Sequence, residues 1–247
     1  MIVLGNRRLR PRLWPTLIAL CGLAVLLALG TWQVQRLYWK NALIAKLETR
    51  TSAAPAPLPA EIVDPEALEF RPVRLAGRFR HEREIYLLGR VHRGRVGVHV
   101  VTPLVLDDGR TVLVDRGWVP SKRRLPETRA EGQVAGPVTV LGHLRRGGWN
   151  GYQFLRPDNQ PGENAWLWPD LPAMAAFAGL PRSVTELYVV AGPAANPGGL
   201  PIGREVKVKL RNDHLQYAII WYALALALLV VYVLQQSQPE DAGETDA

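Results

Sequence analysis

Two uninterrupted apolar runs stand near the ends of the chain, residues 13–32 (LWPTLIALCGLAVLLALGTW) and 215–234 (LQYAIIWYALALALLVVYVL). At about 1.5 Å rise per residue, each helix reaches roughly 30 Å, the thickness of a bilayer's hydrocarbon. Trp14 and Trp32 border the first run, as interfacial aromatic residues do on a retained anchor, whereas a cleaved signal carries a shorter apolar core. Beyond it, Trp32, Arg36, Trp39, Leu43 and Leu47 recur at three- and four-residue spacing and extend the helical pattern over 33–48. A Pro- and Ala-rich linker, 51–60, cannot stay helical. The period then changes to two. Strands are predicted over 70–80, 84–88, 96–106, 111–119, 137–144 and 185–191, with Asp107-Asp108-Gly109-Arg110 as a hairpin turn. One short helix, 171–178, is opened by Asp170 and Pro172 and closed by Gly179 and Pro181.

These elements predict a membrane-anchored α+β protein, with N- and C-terminal transmembrane helices flanking an antiparallel β-barrel- or sandwich-like extracytoplasmic domain. The divisions expected are a basic N-terminus 1–12, a first span 13–32, an extracytoplasmic domain 33–212, a second span 213–234 and an acidic tail 235–247. Arg7, Arg8, Arg10 and Arg12 precede the first span, and the segment between the spans is too long for its charges to control translocation. Both termini are therefore expected in the cytoplasm and the main domain in the periplasm. A long Arg/Ser-rich presequence is absent from the N-terminus, which favours a bacterial inner membrane over mitochondrial import.

Net charge is +8, yet the arginines gather neither on one helix nor beside an aromatic platform, so nucleic acid is not an expected partner. Arg74, Arg78 and Arg80 read as the solvated face of a strand, a basic surface suited to anionic lipid headgroups. The single cysteine, Cys21, lies in the first span. That excludes an intrachain disulfide and the paired-thiolate chemistry of copper chaperones and thiol oxidoreductases. No G-x-S-x-G, H-E-x-x-H or phosphate-binding glycine loop occurs, and the chain is read as a non-enzyme. His81, His92, His99 and His143 are scattered; a metal shared by His92 and His99 would need a bend at Gly94 or Gly97. Asp115-Arg116-Gly117 reads as an internal ion pair fixing a turn, and Trp149, Trp166 and Trp168 as packing for the domain's mouth.

The membrane edge offers the better constellation. His214, Tyr217 and Trp221 fall at i, i+3 and i+7 on the second helix, and Trp32, Arg36 and Trp39 share a stripe just outside the first span. If the helices pack side by side, with Gly30 and Ala28 permitting close approach, the two faces meet. They would present an imidazole for iron, rings for a porphyrin plane, and Arg36, Lys40 or Arg211 for acidic groups. Asp213 beside the ring would raise its basicity. The same residue types collect at bilayer interfaces as plain anchors, and on the residues alone that reading ranks first.

Three stretches carry a resemblance: Gly30-Thr31-Trp32-Gln33-Val34-Gln35-Arg36-Leu37-Tyr38-Trp39-Lys40, the run from Val100 through Pro103 to Val114-Asp115-Arg116-Gly117-Trp118-Val119-Pro120, and Arg211-Asn212-Asp213-His214-Leu215-Gln216-Tyr217. In these motifs, their order and their placement relative to two spans, the chain closely resembles the Surfeit-locus family of cytochrome c oxidase assembly factors. The resemblance implies assembly of a haem–copper oxidase, at the step where haem a enters subunit I. It implies haem a as a transiently bound cofactor and His214 as the ligand to its iron. It also implies the topology above, with cytochrome c oxidase subunit I, haem a synthase and the lipid bilayer as partners. The alternative is a membrane scaffold that stabilises an oxidase assembly intermediate and never binds haem.

Overall fold

The computed structural model describes residues 3–4, 7–9, 11–205 and 210–239, so most of the expected acidic tail lies outside the described residues. The chain forms two units, one of Met1–Lys46 with Lys209–Ala247 and one of Leu47–Val208.

The first unit holds the short strands β1 (Val3–Leu4) and β2 (Arg7–Leu9), helix α1 (Leu13–Thr51) up to Lys46, and, from the C-terminal part of the chain, a second helix and a short strand described below. The apolar run and the stripe that follows it make one helix, because neither Gly nor Pro interrupts residues 31–51.

In the second unit a short helix α2 (Pro65–Leu68) follows the linker, and then β3 (Pro72–Phe79), β4 (Ile85–His92), β5 (Arg95–Leu106), β6 (Thr111–Pro120), β7 (Pro137–Arg146), β8 (Ala165–Trp166), α3 (Leu171–Phe177) and β9 (Leu187–Ala191). They build one seven-stranded sheet in the order β3-β7-β9-β6-β5-β4-β8, and β3 also pairs with β5, so five strands hydrogen-bond in a closed circuit. The expectation of a wholly antiparallel domain needs correction. β8 runs parallel to β4 and β9 parallel to β6, because the long connection after β7, with α3 in it, returns the chain in the same direction. The Asp107–Arg110 turn is as expected, with Gly109 at φ 82°. So is α3, whose Asp170 side chain caps the amide of Ala173.

Two-residue alternation sorts the sheet's apolar residues into two larger cores and a smaller one of Tyr86, Val98, Val100 and Val119. Val112, Val114, Leu187 and Val189 join Val73, Leu75, Leu104 and Leu144 on one side, while Leu113, Tyr188 and Val190 join Ile85, Leu87, Trp166 and the α3 residues Leu171 and Met174 on the other. β6 is thus buried on both faces, and its Val112-Leu113-Val114 stretch is apolar without alternation, as a strand covered on both sides requires. The linker is tied down rather than loose: Leu58 enters the first core, and the Arg110 guanidinium donates to the carbonyls of Pro59 at 2.6 Å and Ala60 at 3.1 Å. Arg74, Arg78 and Arg80 are exposed as expected.

Helix α4 (His214–Gln236) and strand β10 (Ser237–Pro239), which pairs with β2, complete the first unit. Helices α1 and α4 run antiparallel: Thr16 and Tyr232 share a hydrogen bond of 2.8 Å, Thr31 and Tyr222 one of 3.1 Å, and the Arg12 amide donates to Gln236 Oε1 at 3.0 Å. Arg12 and Gln236 therefore lie at the same end of the pair. Gly30 permits the contact, since a Cβ there would stand 2.8 Å from the Tyr222 ring. Ala28, expected to share that role, is exposed instead. Both helices are long and apolar enough to cross a membrane. Their outward residues, among them Ile18, Val25, Ile219 and Leu226, leave an apolar surface uncovered, which points to a membrane-anchored protein.

Candidate functional site

His214 is the first residue of α4. Its side chain is half-buried, and Nδ1 lies 2.7 Å from Gln33 Oε1 on α1. An amide oxygen only accepts, so Nδ1 is the donor of this hydrogen bond. Among the described residues Nε2 has no hydrogen-bond partner. Farther along α1, Asn212 Nδ2 donates to Asn41 Oδ1 at 2.8 Å, a second polar link between the same two segments.

The remaining predicted residues do not converge on the imidazole. Trp32, Trp39 and Tyr217 are each about half exposed, at 54%, 52% and 52%. Arg36 stacks on Trp39, its guanidinium carbon 3.9 Å from the ring centroid. Trp221 is half-buried on the α1-facing side of α4, with Ala218 and Ala225. Arg211 pairs with Asp213. The carboxylate expected to polarise His214 thus serves an arginine, and the group that orients the ring is Gln33. The reason is helical phase: Gly30 and Gln33, three residues apart, face α4, while Trp32, Arg36 and Trp39 turn outward. The signal for Gln33 was a polar residue one turn past the glycine of close approach.

In the second unit, charges that looked scattered form two buried clusters. β6 carries one residue more than β5 at this point: Val101 pairs with Asp115 and Val100 with Gly117, so Arg116 bulges between them. Gly117 meets the bulge with φ 120° and with the Ile202 carbonyl 1.9 Å from where a Cβ would stand. Asp115 and Arg116 do not pair with one another, contrary to expectation. Asp115 Oδ2 lies 2.8 Å from His99 Nδ1 and 3.4 Å from Arg204 Nη2, and its Oδ1 accepts from the Gly117 amide at 3.1 Å. Burial opposes ionisation of Asp115, yet His99, Arg204 and that amide hold its carboxyl below the ordinary range. Arg116 instead joins Glu84, Arg129 and His81. Arg129 grips both oxygens of Glu84, Nη1 at 3.1 Å, while Arg116 stands 3.8 Å away and His81 3.7 Å. Glu84 is likewise held low against its burial by His81, Arg129 and Gln133. No trio of His, Cys, Asp or Glu among the described residues is placed to hold a metal ion. His92 packs on the Trp118 ring, 5.2 Å between centroids, and His99 pairs with Asp115.

Fold and site together define a protein with two apolar helices flanking, in sequence, a mixed β-sheet domain, and with an oriented histidine where the second helix begins. The chain belongs to the SURF1 family, which it matches over residues 20–226. It is 42% identical to Surfeit locus protein 1 of Mus musculus over 219 residues, 83% of this chain and 70% of that protein. Identity to Surfeit locus protein 1 of Homo sapiens is 41% over 215 residues, 81% of this chain and 70% of that protein. A SURF1-like protein of Monosiga brevicollis is 36% identical over 221 residues, 85% and 82% of the two chains.

Proposed function

We propose that this protein is a membrane-anchored, non-enzymatic factor in cytochrome c oxidase assembly that holds haem a at His214 and passes it to subunit I. Membership of the SURF1 family carries the assembly role. The observation that carries the haem step is the His214–Gln33 hydrogen bond of 2.7 Å. With the ring neutral, it fixes the proton on Nδ1 and leaves Nε2 as an unpaired donor atom, the arrangement in which imidazole ligates iron. His214 would be the one histidine of the two helices to hold the iron of a haem, since neither helix carries a second. A haem held by one bond is held loosely, as cargo must be. Trp32 and Tyr217 offer exposed aromatic surface beside Gln33 and His214 in sequence. Arg36 and Arg211 are cations available to propionates once they exchange their Trp39 and Asp213 partners. The two apolar helices would hold the site at a bacterial inner membrane, with both termini cytoplasmic and the β-sheet domain periplasmic.

A second reading has its own observation. Tyr152, Phe154 and Leu155 are 75%, 82% and 61% exposed in a loop of the β-sheet domain, with the first two rings 5.7 Å apart. An aromatic cluster of this kind suits capture of a protein partner, as a scaffold without haem would require. Complementation of a strain lacking the gene separates the readings. Under the haem proposal His214→Ala lowers the haem a content of the oxidase while subunit I still co-purifies with the variant. Under scaffolding, His214→Ala is silent and Tyr152→Ser/Phe154→Ser abolishes capture.

A further inference from the structure

Beside the buried charges of the β-sheet domain lies a cavity of about 200 Å³, walled by Phe79, Val138, Val140, Leu141 and Ala191, with Arg116 and Asn196 among its polar members. Arg116 is 2% exposed. The cluster it belongs to contains two guanidiniums, Arg116 and Arg129, and one carboxylate, Glu84, which Arg129 occupies on both oxygens. Whatever the protonation of His81, the cluster holds at least one positive charge more than negative. None of the contacts that Arg116 makes elsewhere is to an anion: they are the Gly132 carbonyl, Asn196 Oδ1 at 3.3 Å, His81 Nδ1 at 3.4 Å and the Phe79 ring at 4.8 Å. Neutral acceptors satisfy N–H groups without cancelling charge. Burial, with Arg129 nearby, accordingly pushes Arg116 down to about 10 although Glu84 opposes the shift. The other buried carboxylate, Asp115, is committed to His99 and Arg204. Among the described residues, Arg116 Nε donates no hydrogen bond.

A buried cation short of counter-charge, at one side of an apolar cavity, selects a ligand with one negative charge and a hydrocarbon body. We propose that this cavity binds a small apolar carboxylic acid, the Arg116 guanidinium taking the carboxylate and Phe79, Val138 and Leu141 covering the hydrocarbon. The Nε–H, which has no acceptor among the described residues, would take one carboxylate oxygen. One surplus cation suits a monoanion better than a phosphate. The volume lies below the ~300–1,000 Å³ of sites for drug-sized molecules, so the cavity admits an acid of a few carbons and excludes a porphyrin ring.

The test uses the full-length protein in lipid nanodiscs and a hexanoic acid carrying a diazirine on its tail, with photolabelled peptides mapped by mass spectrometry. The expected result is labelling within residues 134–141 and 191–197 that excess hexanoate competes away and that hexanol and hexylammonium leave in place. Arg116→Gln should reduce this labelling at least tenfold. Since that variant disturbs the buried cluster, Thr139→Trp serves as the second: Thr139 lines the cavity from an exposed position, and an indole there fills the space with every charge intact. Competition by hexanol equal to that by hexanoate, or full labelling of Thr139→Trp, overturns the proposal.

Discussion

Replacing Glu84 by Gln leaves two buried guanidiniums without their carboxylate. The three side chains, Glu84, Arg129 and Arg116, are 2%, 1% and 3% exposed, so water screens little of the interaction. Arg129 grips both carboxylate oxygens and Arg116 stands at 3.8 Å. Unit charges about 4 Å apart attract by ~4 kcal/mol at an effective dielectric of about 20. Glutamine keeps the volume and one acceptor oxygen, which returns part of that loss. Breaking a buried pair from one side costs about 3–5 kcal/mol. In a domain of this size each kcal/mol moves Tm by about 2–4 °C, so Glu84→Gln should melt roughly 6–20 °C lower. Tryptophan-emission scanning fluorimetry of the intact protein in mild detergent reads the change, with Trp166 fully buried in the same domain. Glu82→Gln is the control: its pair with Arg80 is about half exposed, 59% and 48%, and its loss is worth about 0–1 kcal/mol. The double variant Glu84→Gln/Arg129→Met should cost less than Glu84→Gln alone, because an orphaned cation leaves with the carboxylate. A Tm for Glu84→Gln within about 2 °C of wild type would mean that the carboxylate does not hold the two guanidiniums in place.

Glu84 and Asp115 also set the acid limit. Both carboxyls are held below their ordinary range despite burial, so their stabilisation is present above the unfolded carboxylate pKa of about 4 and is lost as pH falls through the lowered folded values. Tm should stay level from neutrality to about pH 4 and drop below it; Asp115→Asn should lower the neutral plateau and flatten the acid limb. Gly117→Ala forces a side chain into positive φ and against the Ile202 carbonyl. It should destabilise the domain by at least about 1–3 kcal/mol in the same melting assay, whereas Gly109→Ala, with open space around it, should cost less. Gly30→Leu drives a side chain into the Tyr222 ring and should lower the melting temperature of the intact protein, where Ala28→Leu, on the exposed side, should not.

Much of this architecture was legible because it rests on local chemistry. Unbroken apolar runs produced α1 and α4, the Asp-Gly turn joined β5 to β6, and Asp170 with Gly179 bounded α3. Parallel pairing of β8 and β9 was not legible, since it depends on where a long connection returns rather than on the residues of the strands. The Arg116 cluster was hidden by separation. Glu84 and Arg129 lie 45 residues apart, and Arg116 is buried by a one-residue bulge that no propensity records. Among the site residues, His214 stood out as an ionisable group at a helix mouth. Its partner, 181 residues away, appeared only with the phase of two packed helices, which turns Gln33 inward and leaves Trp32, Arg36 and Trp39 outside.

The haem step is tested most directly by colour. Wild-type protein and His214→Ala are purified in mild detergent from cells making haem a, and their reduced optical spectra are recorded side by side. Wild type is expected to show a haem a band that is lost or shifted in His214→Ala, and weakened in Gln33→Leu, which keeps the histidine but removes the oxygen that orients it. A colourless wild type from haem-replete cells, or a band indifferent to His214, would contradict the haem step.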